Sequence, residues 1–193
     1  MTCHRKTLAL AVVAVSLIGI SMWIDPPPRL IWNASSSVPI GFYRVRVGEP
    51  VSRGDLAVVA PPPAIARFLD KGGYLPLGLP LLKRVAALPG QKVCRIGDTI
   101  IIDGDATALA QRTDRLGRLL PVWSGCRTLT ADQLFFLNAD REDSLDGRYF
   151  GPLPAATVIG RATPMSAQPA AISFSPRQAK ETGNATQYLQ THR

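Results

Sequence analysis

An uncharged apolar stretch over residues 7–24 limits how this chain can fold more than any other part of its sequence. As an α-helix, a run of that length would measure about 27 Å, close to the roughly 30 Å of a bilayer's hydrocarbon core. His4, Arg5 and Lys6 precede it, and basic residues tend to stay on the cytoplasmic side of a membrane. The sequence therefore predicts a cytoplasmic N-terminus over 1–6, one transmembrane anchor, and an exported remainder.

A cleaved secretory signal would begin with the same basic residues and apolar run. This run is longer than a usual signal core, and no clear A-x-A cleavage site follows it before Asp25 and the prolines at 26–28. We therefore expect an uncleaved anchor. The small residues Gly19 and Ser21 keep cleavage open as the alternative.

The charge of the chain bears on its partners. The formal net charge is +8 over 193 residues, but the lysines and arginines are scattered among acids, with no basic run and no nucleic-acid-binding motif. We therefore expect no nucleic-acid partner. A basic surface next to the anionic lipid of a bacterial inner membrane is the simpler account, with an ordinary solvated surface as the alternative.

The cysteines agree with an exported domain. Cys94 and Cys126 fall in the part expected outside the cytoplasm, whereas Cys3 falls on the reducing side. A disulfide between Cys94 and Cys126 is expected, and closing that loop would contribute about 3 to 4 kcal/mol in the chain-entropy model. Two buried free thiols are the alternative.

The exported part is rich in short strand-like segments. Branched and aromatic residues alternate there between glycines, prolines and aspartates, which is typical of antiparallel strands. The pattern predicts a mainly β, antiparallel domain over residues 25–166. Its expected strands are residues 41–47, 55–60, 81–88, 92–96, 99–103, 133–138 and 157–162.

One segment of the domain follows a helical period instead. Over 64–73, Ile65, Phe68 and Leu69 recur at helical spacing before a glycine pair, which predicts a short amphipathic helix. We expect it to pack on the sheet, with a flap near the substrate or membrane as the alternative. Residues 167–193 are polar, with little to bury, and are expected to be a disordered tail.

Three consecutive serines occupy positions 35–37. Taken alone, such a run indicates a polar loop. Ser37 also begins a Ser-x-Pro-x-Gly arrangement with Pro39 and Gly41, which restrict and then release the backbone. A serine on a fixed turn can present its hydroxyl and its N–H to one carbonyl. The segment therefore predicts Ser37 as a candidate nucleophile.

A nucleophilic serine needs a base, and histidine cannot supply it here. The only histidines are His4, on the cytoplasmic side, and His192, in the tail, so lysine is the remaining choice. Period-two alternation turns Lys83 to the same strand face as three apolar residues, Leu81, Val85 and Ala87. Burial there would lower its pKa. An exposed Lys83–Arg84 pair on an edge strand is the alternative.

Clustered acids in residues 138–151 first suggest a calcium loop. The spacing fails the EF-hand pattern, because Leu145 stands at the glycine position and Gly151 at the bidentate glutamate position. A structural loop with an interaction between Asp146 and Arg148 remains. Histidine and cysteine are too few to build a site, so we expect no metal and no organic cofactor.

Together these motifs resemble a known family. The expected membrane anchor followed by SxSxPxG, KRVxxxPG and DSxDxRYFG resembles, in order and spacing, the type I signal peptidase family of Ser-Lys peptidases. The serine motif over 35–43 most resembles that of the TraF-type conjugal transfer peptidases. Each motif alone is weak, but three in register are specific. They cover the apolar stretch and most of residues 33–160.

The resemblance implies a role for each matching residue. Ser37 aligns with the nucleophile and Lys83 with its general base. Ser35 aligns with the residue whose hydroxyl joins the Ser37 N–H in the oxyanion hole. Ser144 aligns with the serine that orients the lysine.

Other positions of this sequence either match the family pattern or depart from it. Asp146 and Arg148 match a structural ion pair beside the site. Gly147 replaces a common serine, Ala87 stands where glycine is frequent, and Gln91 where an acid often follows Pro-Gly. None of these departures removes a catalytic atom.

The resemblance also implies a function. A single-pass inner-membrane protein with a periplasmic Ser-Lys peptidase domain would process a membrane-embedded prepilin by cleavage, with cyclisation as a second outcome, for the conjugative transfer machinery. A general signal peptidase acting on preproteins is one alternative. A non-catalytic anchored subunit of a secretion or conjugation apparatus is another. Autoproteolytic repressors are disfavoured by the expected membrane span and by the absence of a DNA-binding helical motif from the sequence.

Overall fold

Two antiparallel β-sheets form the body of the protein in the computed structural model, which describes residues 2–21 and 26–165. The larger sheet has seven strands. In order across the sheet these are β1 (Leu30–Asn33), β2 (Gly41–Val47), β11 (Val158–Pro164), β3 (Leu56–Val59), β4 (Leu81–Ala87), β9 (Gln133–Phe136) and β10 (Leu153–Pro154).

The second sheet has four strands, in the order β7 (Asp105–Leu109), β6 (Thr99–Ile102), β5 (Lys92–Ile96) and β8 (Gly125–Thr128). Cys94 on β5 lies directly opposite Cys126 on β8, and a disulfide joins them. The bond therefore ties together two neighbouring strands of this sheet.

Three α-helices accompany the sheets in the described residues: α1 (Thr2–Ser21), α2 (Pro63–Lys71) and α3 (Gly147–Phe150). No helix in residues 2–21 or 26–165 is both long enough and apolar enough to cross a membrane. The transmembrane span predicted over 7–24 is therefore not shown, and its end falls in residues 22–25, which lie outside the described part of the chain.

The core follows the alternation of the strands. On β2, Tyr43 and Val45 are buried while Phe42 and Arg44 are exposed, as expected for a sheet with one face against the interior. A second cluster lies between the sheets, where Phe135 is fully buried against strands of both. Packing between the sheets fixes where β4 and β9 present their side chains.

The prediction of a mainly β, antiparallel fold is confirmed, and each predicted strand segment contains an observed strand. The predicted helix is α2, with Leu69 1% exposed and Ile65 packed on the core. The pattern missed four short strands, β1, β7, β8 and β10, as well as α3. The predicted tail over 167–193 lies outside the described residues.

Candidate active site

A cleft of about 970 Å³ opens beside the beginning of β4. The candidate residues Ser35, Ser37, Lys83 and Ser144 all line it. Much of the remaining wall is apolar and comes from four segments. They contribute Trp32 from β1, then Leu69, Leu75, Leu79 and Leu82 from α2 to β4, Leu116 and Leu120 from the loop after β7, and Leu145 from the loop after β9. The cleft therefore combines one polar corner with a long apolar wall.

The outer wall is held together by a small polar cluster. The Tyr74 hydroxyl donates to the Asp114 carboxylate at 2.5 Å. The Arg118 guanidinium pairs with Asp114, stacks over the Tyr74 ring and donates to the carbonyl of Gly72. The segment after α2 is thereby joined to the 111–120 loop. Of the two roles weighed for the 64–73 helix, packing is observed, and Leu69 also reaches the cleft.

Asn33, the last residue of β1, organises the turn that carries the serines. Its side-chain oxygen accepts from the Ser35 N–H at 3.1 Å and the Ser35 hydroxyl at 2.7 Å. Its side-chain nitrogen donates to the carbonyls of Ser35, Val38 and Pro39. Asn33 is 9% exposed. Its carboxamide thus bonds to backbone groups of the turn, which lie outside the strands. Sequence reasoning missed this role, although the residue directly precedes the serine motif.

The serine hydroxyls are connected to each other. The Oγ atoms of Ser35 and Ser37 lie 2.9 Å apart. Because Ser35 gives its single hydroxyl proton to Asn33, the Ser37 hydroxyl must be the donor in this pair. The proton of Ser37 therefore points at Ser35.

The far side of the turn is fixed by proline and glycine. The Tyr43 hydroxyl donates to the Pro39 carbonyl at 2.6 Å. Gly41 has a φ of 152°, which side-chain-bearing residues rarely adopt. The chain can therefore leave the turn directly into β2 while Pro39 stays in place.

Lys83 lies on the inward face of β4 and is 5% exposed. Its ammonium nitrogen donates to the Ser144 hydroxyl at 2.7 Å. Burial lowers the pKa of Lys83 from 10.5 to about 8, with the nearby Arg148 charge acting in the same direction and Asp146 and Asp143 acting against it. With this pKa, about a tenth of the amine is neutral at pH 7.

The loop that carries Ser144 is held by a buried ion pair. Asp146 and Arg148 are 2% and 1% exposed, and Arg148 Nη2 lies 2.9 Å from Asp146 Oδ2. Arg148 also donates to the carbonyls of Asn138, Arg141 and Ser144. One guanidinium thus closes the loop on itself and keeps Ser144 facing Lys83.

The predicted residues fall into two groups. Ser35 and Ser37 form one hydrogen-bonded pair, and Lys83 and Ser144 form another, at the same cleft. Across residues 2–21 and 26–165 no hydrogen bond joins Ser37 to Lys83 directly. Asp146 and Arg148 lie behind the cleft, and the disulfide lies in the second sheet. The same described ranges contain no cluster of three or more His, Cys, Asp or Glu residues able to hold a metal ion.

Comparison with known proteins identifies the family of this chain. The sequence profile of the family described as signal peptidase, peptidase S26, matches residues 3–166. The chain belongs to this signal peptidase family. The conjugal transfer protein TraF of Agrobacterium fabrum is 37% identical over 145 residues, covering 69% of this chain and 80% of that protein. The plasmid transfer protein TraF of Escherichia coli is 30% identical over 137 residues, covering 65% of this chain and 76% of that protein.

A probable conjugal transfer protein TraF of Sinorhizobium fredii is 38% identical over 141 residues, covering 67% of this chain and 73% of that protein. Among solved structures, signal peptidase I of Enterococcus faecalis is 23% identical, with a TM-score of 0.36, and covers 61% of this chain and 100% of that chain.

Two departures from the signal peptidase pattern have structural reasons. Ala87 is fully buried opposite Phe135, where its methyl group fills the space between the sheets. Gln91 accepts a hydrogen bond from the Leu88 N–H, as an acid could, and also donates to Asp103 at 2.6 Å. The amide thereby stabilises the turn between β4 and β5 and joins it to the turn that follows β6.

The third departure, Gly147, stands where the structure leaves no room for a side chain. A Cβ atom there would lie 2.6 Å from both the Phe135 ring and the Phe136 carbonyl oxygen. Gly147→Ala should therefore lower the free energy of unfolding by about 1 to 3 kcal/mol, because the backbone must shift to relieve the overlap. Urea unfolding measures the change, and Ala156→Ser, at an exposed site, is the matched control. Equal stability of the two variants would contradict the prediction.

Proposed function

We propose that this chain is a serine peptidase in which Ser37 is the nucleophile and Lys83 the general base. One observation carries the proposal. A buried lysine whose pKa is lowered to about 8 is held by Ser144 in the same cleft as a serine on a constrained turn. Membership of the signal peptidase family supports the same chemistry.

The proposed reaction begins when a substrate carbonyl enters the polar corner. The Ser37 hydroxyl turns from Ser35 towards Lys83, whose neutral amine takes its proton as Oγ attacks the carbonyl carbon. The Ser37 N–H and the Ser35 hydroxyl, released from Asn33, donate to the oxyanion. The lysine then returns the proton to the leaving amine. Water, or an amine of the same substrate, resolves the acyl-enzyme.

The substrate is proposed to be an exported precursor of a conjugative transfer apparatus, a prepilin in particular. The TraF relatives, which are named as conjugal or plasmid transfer proteins, support this choice. The disulfide supports a location outside the reducing cytoplasm, in the periplasm next to the inner membrane. The long apolar wall of the cleft suits an apolar segment of such a precursor.

Co-expression with a candidate prepilin tests the proposal. Ser37→Ala should abolish processing, whereas Ser36→Ala, at the exposed neighbouring serine, should leave the rate within about threefold. Mass spectrometry of the pilin distinguishes an unprocessed, a cleaved and a cyclised product. Equal product from both variants would support the alternative of a non-catalytic subunit. Processing of ordinary exported precursors instead of the prepilin would support a general signal peptidase.

The lowered pKa of Lys83 predicts how activity depends on pH. Only the neutral amine accepts the proton of Ser37, so the acylation rate should rise about tenfold per pH unit below pH 8 and level off above it. Initial rates between pH 6 and 9.5 measure this profile, provided that circular dichroism shows a folded protein throughout. A flat profile would contradict the assignment of Lys83 as base.

A further inference from the structure

Asn138 lies between the segments that carry the candidate nucleophile and the candidate base. It follows β9 and is 3% exposed. Its side-chain nitrogen donates to the Ser37 carbonyl at 3.0 Å. Its side-chain oxygen accepts from the N–H of Arg84, the neighbour of Lys83, at 2.9 Å. One carboxamide therefore joins the serine-bearing turn to the lysine-bearing strand.

This connection is the main polar link of the serine turn, residues 34–40, to the rest of the fold. Within the described residues, every other hydrogen bond of the serine turn goes to a partner within residues 33–43. Those bonds fix the shape of the turn but not its position over β4. Val38 packs in the core cluster that includes Leu82 of β4, and the bond from Asn138 adds the polar contact that holds Ser37 itself.

Asn138 is itself held at both ends of its backbone. Its N–H donates to Asp146 Oδ2 at 3.0 Å, and its carbonyl accepts from Arg148 Nη2 at 3.3 Å. The buried ion pair is thereby connected to the Ser37 carbonyl through a single residue. Hydrogen bonds therefore connect the Asp146–Arg148 pair to the backbone of Ser37, through Asn138, as well as to the Ser144 loop.

We propose that Asn138 is the positioning residue that sets the placement of Ser37 relative to Lys83. The inference rests on the proposed function, because it concerns the geometry of the same site. Only an amide of this length donates to one partner and accepts from the other at once. Aspartate keeps the acceptor but loses the donor, and alanine loses both. A misplacement of about 1 Å at such a distance can cost about 10²-fold in rate.

Kinetics of the purified full chain on a purified prepilin provide the first test. Asn138→Ala should lower kcat by about 10²-fold with KM changed less than about threefold, because the substrate still meets the same apolar wall. Asn138→Asp should lose a similar factor and also move the pH–rate midpoint to higher pH, since a carboxylate near Lys83 favours the charged amine. In Asn138→Ala, which adds no charge, the midpoint should stay unchanged, whereas general loosening of the fold would expose Lys83 and move the midpoint to higher pH.

Gln91→Ala is the matched control. Gln91 also accepts from one backbone N–H and donates to a second partner, but it lies at the turn before β5 and does not line the cleft. This variant should leave kcat within about threefold. A kcat of Asn138→Ala within threefold of wild type, or an equal loss in Gln91→Ala, would overturn the proposal.

A second measurement needs no substrate. Backbone NMR order parameters of residues 34–40 should fall from rigid values towards about 0.6 in Asn138→Ala, while those of β4 and of the Gln91→Ala protein stay unchanged. Unchanged values in Asn138→Ala would overturn the positioning role. If wild-type protein processes no precursor while the order parameters fall as expected, the proposed function fails and the positioning of the serine turn stands.

Discussion

Lys83→Met is expected to abolish processing and, at the same time, to make the protein more stable at neutral pH. Activity should fall by at least about 10³-fold, because the variant lacks the amine that accepts the Ser37 proton in the proposed mechanism. The cause of the added stability is the burial of the amine. An apolar side chain of similar length fills the same space without the cost of a buried charge.

The expected gain in the free energy of unfolding follows from the pKa of Lys83. Its fall from 10.5 to about 8 corresponds to about 3 kcal/mol of destabilisation at neutral pH, at about 1.4 kcal/mol per pH unit. Loss of the hydrogen bond between Lys83 and Ser144 should reduce the expected gain in stability by about 1 kcal/mol. The folded-state pKa is lowered, so the cost is fully present below pH 8 and disappears as pH rises to 10.5. The difference between variant and wild type should therefore shrink over that range.

Urea unfolding at pH 7 and pH 10 measures both parts of this prediction. Lys92→Met is the matched control, because Lys92 is an exposed lysine on β5 and its loss should change stability by less than about 0.5 kcal/mol at either pH. A Lys83→Met protein that is less stable than wild type at pH 7, or that still processes substrate, would contradict the role given to this lysine.

Local sequence patterns were sufficient for the central strands of the fold. Segments such as 81–88 and 133–138 combine buried branched or aromatic residues with turn residues at their ends, and those signals are local. β8 is exposed along its whole length and β7 is short and half-exposed, so neither has an alternating apolar pattern. β1 is a strand because it pairs with β2, and pairing cannot be read from four residues.

The candidate site shows the same division. Ser37 and Lys83 stand in short motifs whose residue types and order predict a nucleophile and a base, whereas the role of Ser144 is predicted only from the family resemblance. The roles of Asn33 and Asn138 depend on which backbone groups are left without strand partners. Asn138 reaches Ser37 across 101 positions. Likewise, Arg95 looks like a surface residue in the sequence, yet it is 1% exposed and donates to the Arg148 carbonyl at 2.6 Å.

Asp146→Asn is expected to destabilise the protein more than Gly147→Ala does. The Asp146 carboxylate accepts from the Asn138 N–H, the Arg148 N–H and the Arg148 guanidinium. An amide cannot accept from all of these groups, and the buried guanidinium loses its counter-charge. The free energy of unfolding should fall by about 3 to 5 kcal/mol, as measured by urea unfolding.

Two comparisons separate the buried pair from an ordinary ion pair. Glu49→Gln breaks a half-exposed pair with Arg161 and should cost less than about 1 kcal/mol. The double variant Asp146→Leu/Arg148→Met removes both buried charges and should be more stable than Asp146→Asn alone. If Asp146→Asn costs no more than Glu49→Gln, the pair is not the anchor of the Ser144 loop.

The same pair should also act on Lys83 through space. Asp146 raises the pKa of Lys83 and Arg148 lowers it. In variants that remain folded, Asp146→Asn should therefore move the pH–rate midpoint to lower pH, and Arg148→Met should move it to higher pH. Opposite shifts would mean that both charges act electrostatically on the Lys83 amine. Simple loosening of the loop would instead expose Lys83 and raise its pKa in both proteins. Midpoints that both move upward would assign the pair a purely structural role.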